Sequence, residues 1–170
     1  MKKLFKVALV AICMLFVGNF AKAQSKIAFI NFGELVRSMP EFKTVQTQID
    51  SYQKQFIDQL TTMNNSFQTE AKTFQSQSAS MTDAVRTSKQ AELADMQKRM
   101  QDFQTSAQQQ VDAKTNELSK PMVDKAHTAI SDVAREKGYN YVLDSSQTQL
   151  LVSPEGDDLM AAVKVKLGLK

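Results

Sequence analysis

The chain has 170 residues with one cysteine, one histidine and no tryptophan. A lone cysteine excludes an internal disulfide, and one histidine beside it leaves no metal cluster of the usual Cys/His kind. The formal charge is +3 (21 basic against 18 acidic residues), but four of the lysines fall within the first 23 residues.

Those 23 residues read as a unit. Met1 to Lys6 is basic, Val7 to Val17 is an apolar run of eleven, and Ala21-Lys22-Ala23 is a small-residue cleavage site. This is the build of a secretory signal peptide, with cleavage expected after Ala23 and Gln24 as the new N-terminus. The apolar run is short for a bilayer span; an uncleaved membrane anchor is the rival reading. Cys13 leaves with the leader. The remainder then has 17 basic and 18 acidic residues, a net charge of about −1. No Lys/Arg cluster survives, which counts against a nucleic-acid binder.

Lys26 to Phe32 reads as a strand. Ile27 and Phe29 share one face; Ala28, Ile30 and Phe32 share the other. Both faces are apolar, so burial on both is expected. Gly33 ends the strand and Glu34 to Met39 forms a short helical turn. Pro40 suits the first position of the next helix.

Glu41 to Lys120 contains no glycine and no proline. Apolar residues recur in it at Phe42, Val45, Ile49, Tyr52, Phe56, Leu60, Met63, Phe67, Ala71 and Phe74. Steps of three and four place them on one side of an α-helix. A second series runs Leu93, Met96, Met100, Phe103, Ala107, Val111, Lys114 and Leu118. Tyr52, Met63 and Phe74 repeat every eleven residues, which gives a nearly straight association. The outer face carries mixed charge, as in Asp95 with Lys98 and Arg99.

The pattern blurs over Gln75 to Thr82, where Ser and Thr favour caps and turns. Thr82 or Ser80 could cap a following helix, with Asp83 in its first turn. Two arms of about 38 residues result, each reaching roughly 57 Å at 1.5 Å per residue.

Pro121 marks either a kink or a new helix start. Helical spacing resumes at Met122, Ala126, Ile130 and Val133 and stops at Lys137-Gly138, a C-cap signal. Tyr139 to Asp144 reads as a strand, Ser145 to Thr148 as a turn and Gln149 to Ser153 as another strand. Pro154 to Gly156 is a turn. Asp157 or Asp158 caps a final helix, Leu159 to Leu167, closed by Gly168.

The strands choose between one straight rod and a hairpin. A strand needs ladder partners for its backbone groups. For the strand before the rod to meet those after it, the chain must travel out and return. The spacing therefore predicts an antiparallel hairpin, with Phe42 near Leu118 at the base and Phe74 near Met81 at the tip. The sheet residues left over make a thin core. Sharing them between subunits would cover edge strands, so an oligomer is expected.

The residues that carry a resemblance are Lys26-Ile-Ala-Phe-Ile-Asn31, Met39-Pro-Glu-Phe-Lys43, the Gln-rich helical region, Lys120-Pro-Met122, and above all Ala129 to Asp144 with its Lys-Gly-Tyr-x-Tyr-Val-Leu-Asp core. Together they resemble the Skp (OmpH-like) periplasmic chaperone family. The resemblance implies a homotrimer with a central β body and three helical-hairpin tentacles that hold unfolded outer-membrane β-barrel proteins, without ATP, in the periplasm. The expected fold class is α+β, mostly α: a small β body of about three strands per subunit, shared in a trimer, with a long antiparallel helical-hairpin arm. The body comprises 24–40 and 121–170, and the arm 41–120 with its tip near 75–82. Better-known members are strongly basic and this chain is not; contact with membrane or lipopolysaccharide is left open.

Candidate trimer-body residues are Ile27, Phe29, Ile30, Tyr141, Leu143 and Leu151. Candidate client contacts are Met63, Phe67, Phe74, Met81, Met96, Met100 and Phe103, because methionine adapts to many surfaces. The same residues could simply pack the two helices together. Gln97, Gln101, Gln104 and Gln108 to Gln110 suit either a solvated cavity wall or a soluble outer face. Pro40 and Pro121 are candidate pivots. His127 reads as a surface or packing residue. No nucleophile–base pair or phosphate loop supports an enzyme, and no cofactor and no nucleic-acid partner is expected. The competing function is a structural coiled-coil spacer of the cell envelope.

Overall fold

A computed structural model describes residues 25–169; the expected leader, its cleavage site and Cys13 lie outside the described residues. The elements run β1 (Ile27–Ile30), α1 (Phe32–Ser38), α2 (Pro40–Gln77), α3 (Asp83–Glu136), β2 (Tyr141–Asp144) and α4 (Met160–Lys166). Short 3-10 turns lie at Ser78–Ser80 and Glu155–Asp157.

The chain does travel out and return. Strands β1 and β2 pair in parallel, with Ile27 opposite Tyr141 and Phe29 opposite Leu143. A parallel pair needs a crossover connection, and the whole helical hairpin is that crossover. The straight rod is thereby excluded.

Helix α2 holds 38 residues and starts at Pro40, where the missing N–H costs nothing. Its Ser and Thr content does not break it. Thr47, Thr61, Thr62, Ser66, Thr69 and Thr73 each donate a hydroxyl hydrogen bond to the carbonyl four residues earlier. Such bonds satisfy the hydroxyls within the helix itself. At the Ser-rich tip the spacing tightens: Ser76, Ser78 and Ser80 each donate to the carbonyl three residues earlier. The chain turns at Ser78–Ser80, and Thr82 caps α3 by accepting from the Val85 amide.

The two long helices run antiparallel. Phe56 meets Phe103 with ring centroids 6.0 Å apart, and Lys89 pairs with Glu70 at 3.4 Å. Going from the first pair to the second adds fourteen residues on α2 and removes fourteen on α3. Continued to the base, this register sets Phe42 level with Glu117, one residue short of the expected Leu118. At the tip it sets Phe74 level with Val85 rather than Met81, because the turn centres on Ala79 and Ser80. Outer-face pairing also differs in detail: Asp95 holds Arg99 at 3.0 Å, while Lys98 turns to Asp102.

Helix α3 runs 54 residues straight through Pro121. Pro121 therefore does not begin a new helix. It removes the amide that would bond the Glu117 carbonyl, and the packing of Met122 and Ala126 just beyond it holds the helix together. Replacing Pro121 with Ala restores that bond. We expect a higher melting temperature and slower hydrogen exchange over Glu117 to Pro121, since an interior proline costs a helix about 3 kcal/mol. Unchanged exchange there would mean that the helix already absorbs the proline at no cost.

At the far end, Gly138 takes φ +71° and the Tyr139 amide bonds back to the Ala134 carbonyl at 2.9 Å. This is the glycine C-cap expected from Lys137-Gly138. Gly168 closes α4 in the same way, with Leu169 bonded to Lys164.

The core lies where the hairpin meets the sheet. Ala28 and Ile30 of β1, Leu35 and Met39 beside α1, Met122 to Ala134 of α3, and Leu159 and Val163 enclose one another. Three expectations need correction here. First, β1 is buried on one face only: Ala28 and Ile30 point into the core, while Ile27 is exposed and Phe29 half-buried. Second, Gln149 to Ser153 is not a strand within the chain. One edge of β1 is paired with β2, and the other meets Asp158 in a single bridge, with the Leu159 amide bonded to the Phe29 carbonyl at 3.0 Å. A strand exists only through its ladder, and Gln149 to Ser153 finds no backbone partner. Third, Gly33, expected to end the strand, lies inside α1, because Asn31 caps that helix by accepting from the Glu34 amide.

Candidate functional site

Among the described residues, two apolar surfaces remain open once the chain has folded. The first is the outward face of the sheet. Alternation along paired strands puts Ile27, Phe29, Tyr141 and Leu143 on that face. Tyr141 is 61% exposed, Ile27 49% and Leu143 42%. Leu151 and Val152, beside them in sequence order on the later loop, are 90% and 85% exposed. A cleft of about 230 Å³ runs over this face, lined by Ile27, Phe29, Leu143, Leu150, Val152 and Pro154 among others. Of the six residues expected in the body, Ile30 alone belongs to the interior.

The cleft uses Leu150 and Val152, which the sequence reading passed over in favour of Leu151. Their alternation within Gln149 to Ser153 was the available signal. The turn that follows it, at Gly156 and Asp157, is tied back to Tyr139. Tyr139 hydroxyl lies 2.8 Å from Asp157 Oδ1 and 3.0 Å from the Gly156 carbonyl. The hydrogen bond to Asp157 pushes the phenol pKa up. Lys26 Nζ sits 4.1 Å from the centre of the same ring, a cation–π contact.

The second surface is the seam of the arm. All ten apolar stripe residues of α2, from Phe42 to Phe74, are half-buried against α3, and none is closed off. On α3 the expected series is half-buried likewise, apart from Ala107, which is buried. Toward the tip the facing positions of α3 are Arg86 and Lys89. These charged seam positions carry the gap in the apolar pattern past Thr82 as far as Leu93. Lys89 contacts both Glu70 across the seam and Glu92 on its own helix, and the Glu92 hydrogen bond leads in raising its pKa.

The seven residues considered for client contact, Met63, Phe67, Phe74, Met81, Met96, Met100 and Phe103, all occupy half-buried positions of the hairpin. They thus pack the arm together and keep part of their surface open. Beside them lie a cleft of about 200 Å³ lined by Met63, Met96, Met100 and Arg99, and a smaller one lined by Phe56, Ile57, Leu60 and Val111. Ile57 and Val85 stand largely exposed on the arm. They fall one position outside the stripe, so the stripe reading omitted them.

The base of the arm is tied to the body by side chains from four elements. Asp144, at the end of β2, accepts from the Phe32 amide at 3.1 Å and the Ser146 amide at 2.8 Å. Phe32 in turn stacks on His127 at 4.7 Å, which gives the lone histidine the packing role expected of it. Glu41 and Lys125 pair at 2.6 Å between α2 and α3, and that hydrogen bond holds the Glu41 carboxyl below its ordinary range.

Burial pushes the Asp144 pKa up, but hydrogen bonds from Ser146 and Phe32 and the nearness of His127 outweigh it, so the net shift is downward. A depressed carboxylate stabilises the fold above its unfolded pKa and loses that contribution as pH falls through the folded value. Asp144→Asn should therefore destabilise the protein at pH 7 and make little difference once pH has fallen well below 3.8, the ordinary aspartate value. Denaturant melts of both chains at pH 7, 4 and 2 test this. A difference that stays constant with pH would place the Asp144 contribution in packing instead.

The family model described as outer membrane protein (OmpH-like) matches residues 26–167. The chain belongs to the OmpH-like family. The match spans β1, the whole arm and the sheet-forming C-terminal region. A solved OmpH-like structure, from Caulobacter crescentus CB15 and described as a candidate outer membrane chaperone, aligns at a TM-score of 0.65 with 18% identity. The alignment covers 88% of each chain and shows that the OmpH-like fold is shared. A comparison with curated proteins finds no match.

Proposed function

We propose that this OmpH-like protein is an ATP-independent holdase of the periplasm, reached through cleavage of the leader after Ala23. As a homotrimer it holds unfolded outer-membrane β-barrel proteins in the cavity between its arms and prevents their aggregation in transit. The observation that carries this reading is the arm seam, whose apolar residues stay half-open along all of α2. A seam of this kind leaves apolar surface for weak contacts with many sequences, and its methionines adapt to each. The solved relative's description as an outer membrane chaperone supports the same reading.

The exposed sheet face supports the trimer. Ile27, Phe29, Tyr141 and Leu143 share this face beside the unpaired edge of β2, Leu151 stands exposed on the later loop, and an open edge invites a partner strand. The Gln149 to Ser153 segment can find in a neighbouring subunit the partner it lacks at home. Pro40 and Pro121 flank the base of the arm and serve as its pivots.

The test is suppression of aggregation. An unfolded outer-membrane β-barrel protein is diluted from denaturant with and without the processed chain, and light scattering is followed. Near-stoichiometric trimer should abolish the rise. Equal scattering in both samples would end the holdase reading. The oligomeric mass of the chain from Gln24 onward, by sedimentation, checks the trimer separately.

A further inference from the structure

We propose that Met63, Met96 and Met100 form a methionine oxidation site at the middle of the arm, and that its oxidation opens the seam. Met96 and Met100 lie four residues apart on one face of α3. Met63 opposes them from α2: the register that pairs Phe56 with Phe103 and Glu70 with Lys89 sets Met63 level with Met96. All three line one cleft of about 200 Å³ together with Thr62, Ser66 and Arg99. That space holds several water molecules at about 30 Å³ each, so a small oxidant can enter. By contrast, Met39 and Met122 are closed into the body core.

The oxidant is a hypohalous acid. The thioether sulfur of methionine attacks the chlorine of hypochlorous acid; an S–Cl bond forms as the Cl–O bond breaks and releases hydroxide. Water then adds to sulfur, chloride leaves and two protons are lost. The net products are one sulfoxide, one chloride and one proton, with sulfur giving up the two electrons that chlorine gains.

The consequence follows from what surrounds the sulfurs. A sulfoxide is polar and disrupts methionine-rich packing. Its oxygen only accepts hydrogen bonds. The Thr62 hydroxyl donates to the Asp58 carbonyl at 3.0 Å and the Ser66 hydroxyl to the Thr62 carbonyl at 3.1 Å, so both are engaged within α2. Arg99 is the donor that remains. Its Nε meets Asp95 at the surface, 3.0 Å away, and the rest of its guanidinium can follow a sulfoxide outward. Oxidation thus replaces an apolar seam contact by a bond directed away from the seam. The site stands whether or not the arm holds clients.

The purified protein, in the oligomeric state it adopts, is titrated with hypochlorous acid. Peptide masses report oxygen gain at each methionine, and circular dichroism reports melting of the helices. Met63, Met96 and Met100 should oxidise several-fold faster than Met39 and Met122, and the melting temperature should fall by several degrees. Methionine sulfoxide reductase should restore it. The M63L/M96L/M100L variant, close in volume, should melt like the parent before oxidation and resist the loss after it. The M81L/M160L variant should lose as much as the parent. The proposal is overturned if the three oxidise no faster than the core pair, if their oxidation leaves melting unchanged, or if M81L/M160L protects and the triple variant does not. Should the triple variant fail to fold, the oxidation rates and reductase recovery of the parent chain decide alone.

Discussion

Replacing Leu159 with Ala should cost about 2–5 kcal/mol, the range for a leucine removed from a closed core. Leu159 is 0% exposed and sits where the C-terminal segment joins the sheet. Its amide bonds the Phe29 carbonyl at 3.0 Å, and its carbonyl accepts from Val163 at 2.9 Å. Alanine keeps those backbone bonds and removes the side chain, so the loss reports packing. The body is small, and the C-terminal segment reaches it chiefly through Leu159, just before α4, and Val163 within it. Neighbours can therefore collapse into the vacancy only by moving α4 as a unit. At roughly 2–4 °C per kcal/mol for a chain of this size, the melting temperature should drop by about 5–20 °C. Val165→Ala, two residues beyond Val163 on the same helix, is the control. Val165 is 77% exposed, and its truncation should stay within about 0.5 kcal/mol. Equal losses in the two variants would show that α4 is covered on both sides in the assembled protein.

The second large effect is expected from the opposite face of the sheet. Replacing Phe29 and Tyr141 together with Asp should abolish both trimer assembly and holdase activity. Tyr141 is mostly exposed within one chain and Phe29 half-buried, so the subunit itself should keep its helical content. In the proposed trimer the same positions meet other subunits. Six carboxylates would then lose water together, and each uncompensated charge costs several kcal/mol. Sedimentation should report a monomer at micromolar concentration, and circular dichroism an intact arm. A double variant that remains trimeric would place the subunit interface elsewhere. The two experiments probe the two sides of one sheet: β1 presents Ala28 and Ile30 inward and Ile27 and Phe29 outward.

Much of this architecture is legible in local signals. The three-and-four spacing from Phe42 to Phe74 identifies the seam residues one by one. Thr82 as a cap, Pro40 as a first helical residue, and Gly138 and Gly168 as helix ends follow from backbone chemistry that acts within a turn or two. The out-and-back path also follows, because the apolar strand at Ile27 needs a partner that only the far end of the chain can supply. The family resemblance rests on similarly local stretches, and the match over residues 26–167 bears it out.

What the sequence left undecided depends on neighbours far along the chain. Gln149 to Ser153 has every local property of a strand, yet ladder partners are a tertiary fact, and Asp158 and Leu159 already meet that edge of β1. Pro121 looks like a stop, yet Met122, Ala126 and Ala129 are buried beyond it and carry the helix onward. Alternation identified both faces of β1 as apolar; only the placement of α1, α3 and α4 decided which face the subunit buries itself. The same holds for the arm. Periodicity selects the stripe, but its half-open state arises because two helices alone cannot surround a phenylalanine or a methionine. The sequence by itself determined the apolar stripes, the Thr82 cap, the Pro40 start, the glycine ends at Gly138 and Gly168 and the need for a hairpin, since most of these depend on contacts within a few residues. The tertiary structure decided the strand pairing, the sheet face left bare and the cleft beside Met63, Met96 and Met100, since these depend on which distant segment occupies a shared edge or seam.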